Sequence, residues 1–112
     1  MNFIRRKIGD INKVKKVYSR IKNMFERNQI NKAYILGSSC IEANMYKKHI
    51  HINTDLDKSK IILLNKNNIK NIDVNKDIII LCGRWYLNKL IDIKELQLLL
   101  KKCSSIPIDE LE

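Results

Sequence analysis

The chain predicts a small Rossmann-like α/β sandwich of about four mostly parallel strands and three helices, in the order α-β-α-β-β-β-α. Three observations lead there. Its 112 residues are enough for one hydrophobic core and too few for two, so residues 1–112 read as a single domain. A segment near each end carries apolar residues at the three-and-four spacing of an amphipathic helix. Between them lie short aliphatic runs without polar alternation, the pattern of strands buried on both faces in a parallel sheet.

The first helix is expected from Ile8 to Asn28, where Ile8, Ile11, Val14, Val17, Tyr18, Ile21, Met24 and Phe25 make one apolar stripe. Gly9 and Asp10 mark its start, and Asn28 with the polar Asn31-Lys32 its end. Ala33-Tyr34-Ile35-Leu36 reads as a buried strand ending at Gly37. Ser39 and Glu42 then stand three apart, a capping box that opens a short helix to about Lys48. His49-Ile50-His51-Ile52 alternates polar and apolar, which predicts a half-buried strand.

Lys60 to Leu64 predicts a further buried strand, and residues 65–77, rich in Asn and Lys, a loop or one helical turn. Asp77 to Gly83 contains the longest apolar run, Ile78 to Cys82, and fits a central, parallel position. A last helix is expected to begin at Asp92, capped with Glu95, to bury Leu96, Leu99, Leu100 and Cys103, and to be closed off by Pro107. Residues 1–9 and 104–112 are expected to fray.

Several classes of protein are disfavoured by composition. No apolar run approaches the roughly 20 residues that span a bilayer. The N-terminus turns basic at Arg5-Arg6-Lys7 without an apolar segment behind it, so a secretory signal is not expected and a cytoplasmic location is. Cys40, Cys82 and Cys103 are odd in number, widely spaced and set among apolar neighbours, which predicts reduced, buried thiols and no disulfide framework. Nothing in the sequence asks for a cofactor. The abundance of Lys, Asn and Ile is what an AT-rich genome produces, and with the small size it suggests one plain reading, a structural or accessory subunit of a phage or mobile element.

Charge carries more information than that. The net charge is +10, yet residues 1–32 hold ten Lys/Arg against Asp10 and Glu26, or +8, while residues 33–112 hold twelve against ten, or +2. Compositional bias would spread lysine evenly. At 100° per residue, Arg5, Lys13, Lys16, Arg20 and Arg27 fall within about 80° of one another, opposite the apolar stripe. A helix docked by its apolar side leaves those cations in water, where they can track a phosphate backbone. The leading expectation is therefore a non-enzymatic binding protein whose first helix meets nucleic acid or an acidic protein surface. Only Tyr18 and Phe25 lie nearby, both on the apolar stripe, so base stacking is not expected and binding should be largely independent of sequence. Val17 and Met24 widen that stripe, which leaves room for a homo-oligomeric contact.

An alternative expectation uses two strand ends, Gly37-Ser38-Ser39 and Gly83-Arg84-Trp85-Tyr86. Ligands of open parallel sheets sit outside the carboxyl ends of strands, where small residues let backbone N–H groups approach a phosphate. Arg84 can pair with that phosphate and Trp85 or Tyr86 can cover a base, giving a nucleotide- or phosphate-binding protein or a hydrolase. No GxGxxG or GxxxxGK[ST] fingerprint accompanies them, and Glu42 would repel an anion there. His49 and His51 make half a metal site if they share one face of a strand. Cys40 with His49 would be a nucleophile pair, but Cys40 falls on the second position of an amphipathic helix, where burial accounts for it more simply. Asp55, Asp57, Asp73 and Asp77 are the remaining acidic candidates for metal or general-base work, but Asp55 and Asp57 flank a leucine in a turn-like stretch, where Asp serves the local backbone more often than catalysis.

Overall fold

The computed structural model describes residues 15–108. Residues 15–26 form α1, followed by β1 (Lys32–Leu36), α2 (Cys40–Thr54), β2 (Ile61–Leu63), β3 (Asp77–Cys82), α3 (Lys94–Lys102) and β4 (Ser105–Ile108). All four strands are parallel, in the spatial order β2-β1-β3-β4. The expected α/β class, with four strands and three helices, is the one observed.

Successive strand residues point to opposite faces, and here both faces are buried. Ala33 and Ile35 of β1, Ile78, Ile80 and Cys82 of β3, and Ile106 and Ile108 of β4 face a core shared with Tyr18 and Ile21 of α1 and Ala43, Tyr46 and Ile50 of α2. Tyr34, Leu36, Ile79 and Leu81 face a second core with Ile69, Ile72, Leu96 and Cys103. The molecule is therefore a sheet with α1 and α2 on one side and α3, with single 3-10 turns, on the other. This is why the strand sequences are apolar throughout.

The end of α1 is set by Asn28, which adopts a left-handed φ of 56°. Gln29 N–H reaches Met24 O at 3.0 Å and Asn28 N–H reaches Phe25 O at 3.1 Å, the paired bonds that satisfy the last carbonyls of a helix. Val17 and Met24 pack against the first core. The predicted start of this helix, from Ile8, lies outside the described residues.

Two local expectations are corrected, and together they conserve the strand count. His49-Ile50-His51-Ile52 is not a strand but the second half of α2, which runs 15 residues. Ala43, Tyr46, Ile50 and Thr54 recur at helical spacing and are buried, and that longer periodicity outweighs four residues of alternation. In exchange, Ser105–Ile108 is a strand where fraying was expected, and Pro107 lies inside β4 instead of terminating the helix. Ile106 and Ile108 are buried and Ser105 and Pro107 exposed, so the four-residue alternation here does bury one face. The predicted cap of the last helix also fails. α3 starts at Lys94, its capping residue is Ile93 without a side-chain bond, and Asp92 ends the preceding 3-10 turn.

The cysteines divide. Cys82 and Cys103 are buried and free, and desolvation pushes both thiols above the usual range, with Glu42 adding to the effect on Cys82 and Asp77 and Asp73 to that on Cys103. Cys40, expected to be buried, is exposed because it is the first residue of α2, beyond the apolar stripe. No helix among the described residues is long and apolar enough to cross a membrane.

Candidate functional site

Two regions can meet a ligand. The first is the outer face of α1, where Lys16, Arg20 and Arg27 are exposed and line one shallow groove of about 480 Å3 with Asn23 and Gln29. Arg27 N–H still bonds Asn23 O at 3.0 Å, so Arg27 continues the helical register of the other two. Four residues of helix separate Lys16 from Arg20, about 6 Å along the axis. Glu26, the only acid among residues 15–32, sits 4.0 Å from Lys22, its partner one turn back, and away from this groove. No ion pair among the described residues neutralises Lys16, Arg20 or Arg27. Arg5 and Lys13, also expected on this face, lie outside the described residues.

The second region is the carboxyl end of the sheet. Leu36 pairs with Leu81, so Gly37 and Gly83 leave neighbouring strands at the same end. Between those strands the chain changes sides, since α2 follows β1 on one face and α3 follows β3 on the other. Such a reversal opens a crevice in doubly wound sheets. Here Glu42 occupies it. Its Oε1 accepts from Ser38 N–H at 3.0 Å and from Arg84 N–H at 3.3 Å, across 42 residues of sequence. Gly83 has a left-handed φ of 53°, and a Cβ there would lie 2.9 Å from Glu42 Oε1. The backbone N–H groups that a phosphate would use thus hold the chain's own carboxylate.

An open cleft of about 460 Å3 lies alongside, beyond β1 and β2. Gly37, Ser38 and Ser39 line it, joined by Asn65 and Lys66 after β2 and by Leu87 to Leu90, whereas Gly83, Arg84 and Trp85 do not. Trp85 packs against the second core and meets Tyr86 edge to face, with ring centroids 5.9 Å apart. Asn88 forms the wall, its Nδ2 donating to Gly37 O at 2.8 Å. Gly37 is needed for close approach, because a Cβ would stand 2.9 Å from the backbone N of Ala43. Neither Asn88 nor Lys66 carries a sequence signal for this role, since Asn88 joins two 3-10 turns, Lys66 sits in a polar turn, and both are distant in sequence from β1.

The remaining candidates serve structure. His49 and His51 are two residues apart on a helix, so about 200° separates them and the shared face is lost. His51 Nδ1 lies 2.6 Å from Leu56 O. Asp55 ends α2 in the left-handed region, and Asp57 accepts from Ser59 N–H at 2.9 Å, which lowers its carboxyl below the usual range. Asp77 is buried at the start of β3 and accepts from Asp73 N–H at 2.9 Å, while Asp73 accepts from Asn75 N–H at 2.9 Å. Among the described residues no group of three or more His, Cys, Asp or Glu side chains is placed to hold a metal ion.

Comparison with known proteins adds no assignment: no family model, curated protein or solved structure matches this chain.

Proposed function

We propose that this chain is a small, basic, non-enzymatic binding protein that presents α1 to nucleic acid or another extended polyanion. One observation carries the reading: Lys16, Arg20 and Arg27 share a single groove that Glu26, the only acid among residues 15–32, does not line. Glu26 would otherwise cancel part of the field. Asn23 and Gln29 line the same groove and supply hydrogen-bonding groups for phosphate or sugar, and among the described residues no aromatic ring lines it to stack on bases. The contact is thus electrostatic and tolerant of sequence. A cytoplasmic setting, where nucleic acid is abundant, suits it.

Fluorescence anisotropy with short DNA and RNA duplexes tests this. Three phosphate contacts give a log-log salt slope of about −2.7, or roughly a 40-fold loss of affinity between 50 and 200 mM salt. Lys16→Gln with Arg20→Gln removes two contacts and should bring the slope to about −0.9. Absence of binding at 50 mM salt, or a slope unchanged in the double variant, refutes the reading.

A further inference from the structure

We propose that the cleft beyond β1 and β2 is a site for a small organic phosphate with an apolar or aromatic body, of the nucleoside monophosphate kind, distinct from the α1 groove. The observation is a concavity built by three loops far apart in sequence and already fixed in shape. Asn88 Nδ2 donates to Gly37 O at 2.8 Å, and Asn68 Nδ2 donates to Leu63 O at 2.8 Å. Asn65 Oδ1 accepts from Asn67 N–H and Asn68 N–H, at 2.8 and 2.9 Å. The loops therefore lose little conformational entropy on binding.

With those groups satisfied, the chemistry left facing a ligand is simple. Leu63, Leu64, Leu87 and Leu90 make apolar walls, and Leu87 remains 59% exposed although it borders a concave surface. Lys66 and Lys89 stand exposed on separate segments lining the cleft, and no acid among the described residues lines it. The α2 N-terminus contributes less, because Ser39 Oγ and Glu42 already take part in its capping. Two ammonium groups over an apolar slot match a phosphate dianion on a body of low polarity, and the volume of about 460 Å3 lies within the roughly 300–1,000 Å3 typical of small-ligand sites.

Adenosine monophosphate is the probe, with adenosine and inorganic phosphate as its halves. Thermal melting should rise saturably by several degrees with the monophosphate up to about 5 mM, and less with either half. Isothermal titration should show about a tenfold or greater loss of affinity in Lys66→Gln/Lys89→Gln, both exposed positions whose change leaves the fold intact by circular dichroism. Leu87→Asp should weaken adenosine as well. The Lys16→Gln/Arg20→Gln variant should bind the monophosphate as the parent does, which separates this site from the α1 surface. No saturable effect from any probe overturns the proposal. So does binding that survives loss of Lys66 and Lys89 but disappears with Lys16 and Arg20.

Discussion

Replacing Glu42 with alanine removes a side chain that ties the β1–α2 turn directly to the β3 exit at Arg84. Its Oε1 accepts two backbone N–H groups, Ser38 at 3.0 Å and Arg84 at 3.3 Å. A hydrogen bond to a charged group contributes about 1.5–3 kcal/mol, but Arg84 N–H is exposed and water replaces part of what it loses, so the change should cost about 2–3 kcal/mol. For a domain near this size that lowers Tm by about 10–20 °C. Glutamine keeps an acceptor oxygen without the charge and should cost about 1 kcal/mol. Urea unfolding followed by circular dichroism measures both. A second variant tests the geometry itself. Gly83→Ala puts a methyl group 2.9 Å from the same oxygen, and in the Glu42→Ala background that clash is gone while the strain of the left-handed φ remains. The two changes should therefore be sub-additive by about 1 kcal/mol. An alanine variant within about 0.5 kcal/mol of the parent, or strict additivity, would refute the cross-link.

Other perturbations read the cores. Tyr18 is buried and its hydroxyl has no hydrogen-bond partner among the described residues, so Tyr18→Phe should leave stability unchanged or raise it by up to about 1 kcal/mol in the same urea assay. Burial, with smaller contributions from Cys82 and Tyr46, pushes its phenol up to about 12 from 10.0. The folded state thus holds this proton more tightly; its contribution is complete below pH 10 and falls away as pH rises from 10 toward 12, by about 1.4 kcal/mol per pH unit. Cys82 and Cys103 act in the same direction from about pH 9, and unfolding midpoints measured between about pH 8 and 11 should fall accordingly, less steeply above pH 10 in Tyr18→Phe. Gly37→Ala sets a Cβ 2.9 Å from rigid backbone at Ala43 and should cost about 1–3 kcal/mol, read as a loss of Tm.

Much of the fold was legible because the sheet is buried on both faces. A continuous aliphatic run as short as Ile78 to Cys82 suits a strand covered above and below, and the stripe through Tyr18 and Ile21 is long enough to establish its period. Errors fell where four residues had to decide. Ile50 reads as strand beside His49 and His51, and only Tyr46 and Thr54 at helical spacing show that it lies on the buried stripe of α2. Ile106 and Ile108 alternate just as briefly, yet there β3 offers a pairing edge. The strand-end site was visible in part. Gly37 and Gly83 do emerge together, and Ser39 does cap α2, but the reach of Glu42 to Arg84 and of Asn88 to Gly37 depends on chain crossings that local patterns do not encode.

Pro107 has a consequence for how this sheet meets other chains. Ile79 N–H bonds Ser104 O and Gly83 N–H bonds Ile108 O, so the even-numbered residues of β4 turn their polar backbone toward β3. Ser105 and Pro107 then turn theirs outward along the rim. Proline brings no N–H to that rim, and an incoming strand would find a missing rung there. At the opposite rim β2 is only three residues long. The sheet thus resists lateral growth by a stranger's strand, a protection suited to a protein whose extended segments are otherwise rich in isoleucine.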